Sequence, residues 1–277
     1  MAVGASVLEF TGDASATQRF IRELYHAAPA TTAAPSLRYR ITTDAGGSLG
    51  YAPGRPPFGP APLEEIFAFL EWRVTEDVLN APAAGEVYVH AAGVVVGVHP
   101  LLIVGASGAG KSTLAAHLTA MGGRSWGDDV VRFALESGLF SAFPRSWKID
   151  GKTLTDIDLI SRRAADAAEG ILFASSSWYV SPAAIRRDWS AEAGRPDAVV
   201  VLDGSRHDAP VRVERMSEGE AAVRVSTALL SAGAGRGPAW SEIMVRVLEA
   251  LRDVVAWRAG GGPPAALARA VAAEVAA

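Results

Sequence analysis

The sequence predicts an α/β protein with a mixed sheet, built around one phosphate-cradling loop and preceded by a small N-terminal α/β extension. Three observations predict it. The stretch Gly105-Ala106-Ser107-Gly108-Ala109-Gly110-Lys111-Ser112 fits G-x-x-x-x-G-K-[ST] at every fixed position. The apolar run Leu101 to Val104 stands before it as a buried strand, and Thr113 to Leu118 follow it as the first turns of a helix. From Gly85, short apolar segments succeed one another too closely for crossover helices, so the first pairs are read as antiparallel.

Taken in order, Thr17 to Ala28 reads as a helix and Ala30 to Pro35 as a linker. Leu37 to Ile41 alternates apolar and polar residues, as a half-buried strand does. Residues 44–62 are rich in Gly and Pro and are read as loop. Leu63, Ile66, Phe67, Leu70, Val74 and Val78 recur at helical spacing, and Asn80 and Pro82 end that helix. The N-terminal extension is thus expected over residues 1–82 and the phosphate-loop domain over 83–277.

Glu86 to His90, Gly93 to Val98 and Leu101 to Val104 are the first strands of that domain. The helix after the loop stops at Gly122-Gly123. Arg124 to Gly127 reads as a short strand that delivers Asp128-Asp129 to the edge of the sheet. Val130 to Leu135 and Leu139 to Phe143 read as a hairpin. Residues 144–170 are polar and irregular, with a short helix near Asp156 to Arg163. Ile171 to Ala174, Val199 to Leu202 and Val211 to Arg215 read as strands, and Pro182 to Trp189 as a helix. Ser217 with Glu220 resembles a capping box opening a helix to about Leu230. Ser231 to Pro238 reads as loop. Ile243, Met244, Val247, Leu248, Leu251 and Val255 mark an amphipathic helix broken at Gly260 to Pro264, and the Ala-rich end is helical or frayed.

Composition narrows the function classes. Hydrophobic residues make up 49% of the 277, enough for a substantial core. The net charge of −4 is mild and the basic residues are scattered, so there is no nucleic-acid footprint. With no cysteine there is no disulfide framework, thiolate metal site or cysteine nucleophile, as suits a cytoplasmic protein. Met1 to Phe10 lacks a basic leader region, and Val94 to Val104 is too short and interrupted to span a membrane.

The loop motif implies a nucleotide. Backbone N–H groups and the positive end of a helix converge there on phosphate oxygens, and glycines allow the close approach. Gly105, Ala106, Ser107, Gly108, Ala109, Gly110, Lys111, Ser112 and Thr113 are the candidate nucleotide-binding residues. Lys111 would reach the terminal phosphates and Ser112 would ligand Mg²⁺. Two carboxylate sites compete to serve the loop. Asp203 ends the β-branched run Val199 to Leu202, but Asp203-Gly204 is also a turn signal. Asp128 and Asp129 follow Lys111 by 17 and 18 positions, which leaves room for one helix and one return strand. Two adjacent like charges are costly unless a cation or phosphate chemistry uses them.

The stretch from Val89-His90-Ala91, through the loop, to Gly127-Asp128-Asp129 resembles the HPr kinase/phosphorylase family and its smaller bacterial relatives. That family carries a His ahead of the phosphate loop and an Asp-Asp pair after it. The resemblance implies a phosphate-loop kinase domain whose mixed sheet is similar to the nucleotide domain of phosphoenolpyruvate carboxykinase. It implies ATP and Mg²⁺, with Asp129 as general base toward a hydroxyl, His90 beside the transferring phosphoryl group, Lys111 on the β- and γ-phosphates and Ser112 on the metal. A Ser of a protein or peptide, or a small molecule, is the expected acceptor, and a homo-oligomer the expected assembly, although no stretch marks an interface.

The chain also departs from the family. The segment that supplies a Glu metal ligand in full-length HPr kinases has no counterpart, since residues 148–160 read Lys-Ile-Asp-Gly-Lys-Thr-Leu-Thr-Asp-Ile-Asp-Leu-Ile. Asp128 or an Asp of that loop is the expected substitute. Residues 1–82 do not match the family's N-terminal domain. Arg145 or Lys148 is a candidate to steady phosphate charge. Ser175 to Tyr179 are candidates for an acceptor pocket, set against a buried core Trp. A kinase, a nucleotide-binding regulator without transfer, and an ordinary NTPase using Asp203 all remain open at this level.

Overall fold

Residues 1–3, 6–25, 28–82, 85–159, 171–204, 208–230 and 240–276 are described by a computed structural model. The fold is mixed α/β. The N-terminal part contains β1 (Ala2–Val3), β2 (Ser6–Gly12), α1 (Ala14–Leu24), β3 (Leu37–Asp44), β4 (Gly47–Tyr51), β5 (Phe58–Ala61) and α2 (Leu63–Asn80). Its strands form a five-stranded sheet in chain order, with β2 and β3 parallel and the other pairs antiparallel. Asp13 caps α1, its carboxylate accepting from the Ala16 N–H.

Residues 44–62 are therefore not loop throughout: β4 and β5 lie within them, and residues 52–57 connect the two. Gly50 is the reason a strand fits there: a Cβ at that position would lie 2.9 Å from the Ile66 side chain, so its absence lets α2 settle onto β4. The helix read over Thr17 to Ala28 begins three residues earlier, at Ala14.

The rest of the chain holds β6 (Glu86–Val89), β7 (Ala92–Val96), β8 (His99–Gly105), α3 (Lys111–Ala120), β9 (Arg124–Gly127), β10 (Val131–Ala134) and β11 (Leu139–Ala142). Next come β12 (Trp147–Ile149), α4 (Gly151–Asp156), β13 (Ile171–Ala174), β14 (Ser177–Val180) and α5 (Pro182–Ile185). The series closes with β15 (Ala198–Leu202), β16 (Arg212–Arg215), α6 (Glu218–Thr227), β17 (Leu229–Leu230), α7 (Trp240–Ala250), β18 (Val255–Gly260) and α8 (Pro264–Ala276).

A six-stranded sheet, ordered β16-β18-β15-β8-β7-β9, carries the phosphate loop. Strands β18, β15 and β8 are parallel, while β7 is antiparallel to both β8 and β9. Two reversals make β9 run in the same sense as β8, so Asp128-Asp129 emerges at the same edge as the loop. Successive residues of a strand face opposite sides. Ile103 and Val200 enter one core with Leu114 of α3 and Val271 of α8. Leu102 and Val199 enter the other with Val225 of α6 and Val247 of α7.

Smaller sheets complete the fold. One is ordered β11-β10-β6-β17, the other β12-β14-β13. Strands β7 and β8 pair antiparallel as expected, but β6 leaves to join β10. Three other expectations are corrected. Val255 does not continue the helix before it: Asp253 takes a left-handed backbone (φ 65°), and Val255–Gly260 is a strand of the main sheet. The segment from Pro182 is helical only to Ile185. The short helix expected near Asp156 to Arg163 is found earlier, at Gly151–Asp156, with Ile157 and Asp158 in a turn; residues 160–163, and the loop at Ser231 to Pro238, lie outside the described residues.

The N-terminal core does not stop at residue 82. Phe20, Tyr39 and Phe67 share a buried cluster with Tyr88, Val130, Phe143, Leu172 and Tyr179. Among the described residues, no helix is long and apolar enough to cross a membrane.

Candidate active site

The phosphate loop joins β8 to α3, and its glycines are used where the backbone demands them. Gly108 and Gly110 have φ of 78° and 97°, a left-handed region that an L side chain enters only at a cost. The Lys111 ammonium donates to the Gly105 carbonyl (3.0 Å) and the Ala106 carbonyl (3.2 Å), so it lies over the loop. Burial pulls Lys111 below its ordinary pKa, and Asp129 and Asp128 pull it partly back. Ser112 Oγ donates to the Asp128 carbonyl at 3.3 Å, which ties the first turn of α3 to the end of β9.

A cavity of about 500 Å³ opens in front of the loop, lined by His90, Lys111, Ser112, Asp128, Asp129 and Asp150 among others. The structure thus brings His90, Lys111, Ser112 and both aspartates to one place. Asp203 borders an adjoining cavity on the other side of the loop, which shares His90 and Ser107 with the first but does not include Lys111, Asp128 or Asp129, and it lies 3.7 Å from Arg212.

The two adjacent aspartates are shifted in opposite directions. Asp128 is 1% exposed, and burial pushes its carboxyl up to about 6, with Asp129 adding to the rise and Arg145 opposing it. Burial would raise Asp129 too. The hydrogen bond from His90 and the charges of Arg145 and Lys111 outweigh that, leaving Asp129 well below the usual carboxylate range. The geometry accounts for the difference. His90 Nε2 donates to Asp129 Oδ1 at 2.8 Å and Arg145 Nη2 donates to Asp129 Oδ2 at 2.9 Å. Asp128 receives the Lys148 backbone N–H (3.2 Å) on its Oδ2 and a weaker contribution from the Ser112 hydroxyl, with Arg145 a distant 3.9 Å from its Oδ1.

A proton therefore binds Asp128 more tightly in the folded chain than in the unfolded one, where an Asp titrates near 3.9. Its charge is harmless below that value and fully adverse above about 6. Asp128→Asn is thus expected to stabilise the metal-free protein at pH 8, with a gain that shrinks through pH 6 and disappears near pH 4. Thermal melts of both proteins across that range check it.

Arg145, a candidate to steady phosphate charge, is engaged by carboxylates. It is 7% exposed and paired on both sides, with Nη1 on Glu71 Oε1 at 2.7 Å and Nη2 on Asp129. Burial alone would pull its pKa down; Glu71, Asp128 and Asp129 push it up instead, so it stays charged. Glu71, itself 4% exposed, comes from α2. The N-terminal part therefore holds the arginine that holds Asp129. Two further ties fix this seam: Ser146 N–H donates to the Leu24 carbonyl at 2.8 Å, and Ser146 Oγ donates to the Glu23 carbonyl. Lys148, by contrast, is exposed and borders the cavity.

Glu71 escapes a reading of the sequence, because it sits among the helix-forming residues of an amphipathic segment. Its one signal is its place four residues after buried Phe67, where an apolar residue would continue the inner stripe. In the hairpin read as an acceptor pocket, Ser175 and Ser176 form the turn with φ of 46° and 60°, and Ser175 N–H donates to Glu65 at 2.8 Å. Trp178 packs against the sheet core, whereas Ser175 and Tyr179 face a cavity beside Asp129.

The oxygen donors suit a hard divalent cation. Ser112 supplies a hydroxyl, and Asp128 is a buried carboxylate whose charge a cation would offset. Asp150 borders the same cavity, its carboxylate accepting from Thr153 N–H (2.9 Å) and Thr153 Oγ1 (2.7 Å), with Thr113 Oγ1 at 3.5 Å. Among the described residues no three His, Cys, Asp or Glu side chains converge as a complete metal cage. The set fits Mg²⁺, which keeps waters and shares phosphate oxygens with its nucleotide.

No protein-family model matches the chain, and no curated protein is significantly similar to it.

Proposed function

We propose that the protein is an ATP-dependent kinase, similar in plan to the HPr kinase/phosphorylase family, that transfers the γ-phosphoryl group to a hydroxyl. The observation that carries this reading is the convergence of Asp129, His90 and Lys111 on one cavity at the mouth of the phosphate loop. An NTPase that served its metal from the neighbouring strand would use Asp203, which borders the adjoining cavity and not the one that Lys111, Ser112, Asp128 and Asp129 line.

In this reading the loop N–H groups and Lys111 bind the β- and γ-phosphates and draw charge from the leaving oxygen. Ser112, with Asp128 or Asp150, holds Mg²⁺, which when bound neutralises phosphate charge. The acceptor hydroxyl donates to Asp129. Its oxygen forms the new bond to the γ-phosphorus as the bond to the β,γ-bridging oxygen breaks, its proton passes to Asp129, and ADP leaves. The transition state is loose, so proton transfer comes late and a weakly basic carboxylate serves mainly to orient the hydroxyl. His90 and Arg145 fix both oxygens of that carboxylate. Lys148 is positioned to meet the transferring group from the open side.

The test is transfer of label from γ-labelled ATP with Mg²⁺ to a panel of peptides and metabolites. Label moved to a hydroxyl supports the reading; nucleotide bound with no turnover, even to water, overturns it in favour of a nucleotide-responsive regulator. Lys111→Ala is expected to weaken ATP binding by about 10–100-fold, the loss of one charge-assisted contact, as measured by equilibrium binding of labelled nucleotide.

A further inference from the structure

A second cavity, of about 480 Å³, lies between α2 and the active site. Its floor is Asp129, Arg145 and Lys148, so it meets the nucleotide cavity at the carboxylate assigned to the acceptor hydroxyl. Its outer wall comes from the N-terminal part and is aromatic. Phe58 of β5 stacks on Phe69 of α2 with ring centroids 4.5 Å apart, and Trp72 stands edge-on to Phe69 at 6.5 Å. Phe58 and Trp72 are 39% and 56% exposed, an unusual state for two large rings beside one polar cleft. Arg73 lies over the Trp72 ring, with its Cζ 4.3 Å from the centroid, which helps hold that ring in place. The cavity beside Asp203, in contrast, does not reach Asp129.

We infer that this cavity is the acceptor site, and that it selects a hydroxyl compound carrying an aromatic ring. The inference rests on the kinase reading and adds to it the location and the chemistry of the second substrate. The geometry separates two tasks. Asp129 takes the hydroxyl at the inner end, in line with the γ-phosphoryl group. Phe58, Phe69 and Trp72 take the apolar part at the outer end, where offset or edge-on ring packing rewards an aromatic group over an aliphatic one. A ring of this kind is found beside a seryl or threonyl hydroxyl in a peptide, and equally in a small aromatic alcohol.

The experiment presents wild-type protein, γ-labelled ATP and Mg²⁺ with two panels. One is a set of seryl pentapeptides that differ only in the neighbour of Ser: Phe, Trp, Ala, Asp or Lys. The other sets 2-phenylethanol and benzyl alcohol against ethanol and glycerol. In one panel the ring-bearing acceptors should exceed their ring-free counterparts by about tenfold or more in kcat/KM, a typical pocket discrimination, and the responding panel names the source. Trp72→Ser should collapse that ratio; because Trp72 is mostly exposed, its melting temperature should stay near wild type. Equal rates for ring-bearing and ring-free acceptors, or a preference that survives both Trp72→Ser and Phe58→Ser, would overturn the inference. Label moved only to ring-free acceptors would overturn it while sparing the kinase reading, and ATP turned over to water with neither panel labelled would overturn both in favour of an NTPase. A wild-type protein that binds no ATP would remove both.

Discussion

Asp129→Asn is expected to lower phosphoryl transfer by about 10²–10⁴-fold, the usual worth of a positioned proton acceptor, while ATP still binds. Asn keeps the size of Asp129 but offers one acceptor oxygen instead of two and cannot take the proton. It also removes the charge that His90 and Arg145 face at 2.8 and 2.9 Å. On the proposed reading, nucleotide binding would rest on other groups, the loop N–H groups and Lys111. The diagnostic result is therefore a fall in kcat with labelled ATP still retained. Phosphate release that persists unchanged in Asp129→Asn would end the role given to that residue and return attention to Asp203. Because Asp129 lies well below the usual carboxylate range, a loss of turnover on mild acidification would have to arise from another group.

The second large effect is expected far from the nucleotide. Glu71→Ala should cost about 3–5 kcal/mol, since it breaks a buried ion pair and takes from Arg145 the more deeply buried of its two hydrogen-bonded carboxylates. For a chain of this size that corresponds to a fall in melting temperature of about 6–20 °C. Arg145 would be left facing Asp129 and Asp128 alone, free to shift toward them, and the Asp129 carboxylate would lose its fixed orientation. Turnover should then fall even at temperatures where the variant is fully folded. Glu71→Gln, which keeps the shape and one hydrogen bond, should fall between the two. A melting temperature unchanged in Glu71→Ala would show that the ion pair is not the tie described above.

How much of this was legible in the sequence follows from distance along the chain. The phosphate loop and the helix after it are a local pattern, and residues 105–120 form them as the motif requires. His90 and Asp128-Asp129 were legible as a resemblance, and the alternating sense of β8, β7 and β9 explains how they reach the loop. Glu71 and Arg145 are 74 positions apart, and no local pattern links a helical glutamate to a loop arginine. The strand Val255–Gly260 was hidden because Val255 keeps the helical spacing from Leu251, and only the left-handed turn at Asp253 breaks it. The strands within residues 44–62 were hidden by the glycine that makes them possible: Gly50 signals a loop by composition but serves as a seat for α2.

The buried cluster that joins Phe20, Tyr39 and Phe67 to Tyr88, Val130, Phe143 and Tyr179 has a consequence for anyone wishing to redirect the protein. The first eighty residues cannot be exchanged like a cartridge. A foreign segment in their place would need to supply a carboxylate where Glu71 stands and an interior surface shaped to Val130 and Phe143, or else those residues would have to be rewritten with it. On the proposed reading, acceptor preference and the alignment of Asp129 would be written by the same helix, α2, so selection on either one would constrain the other.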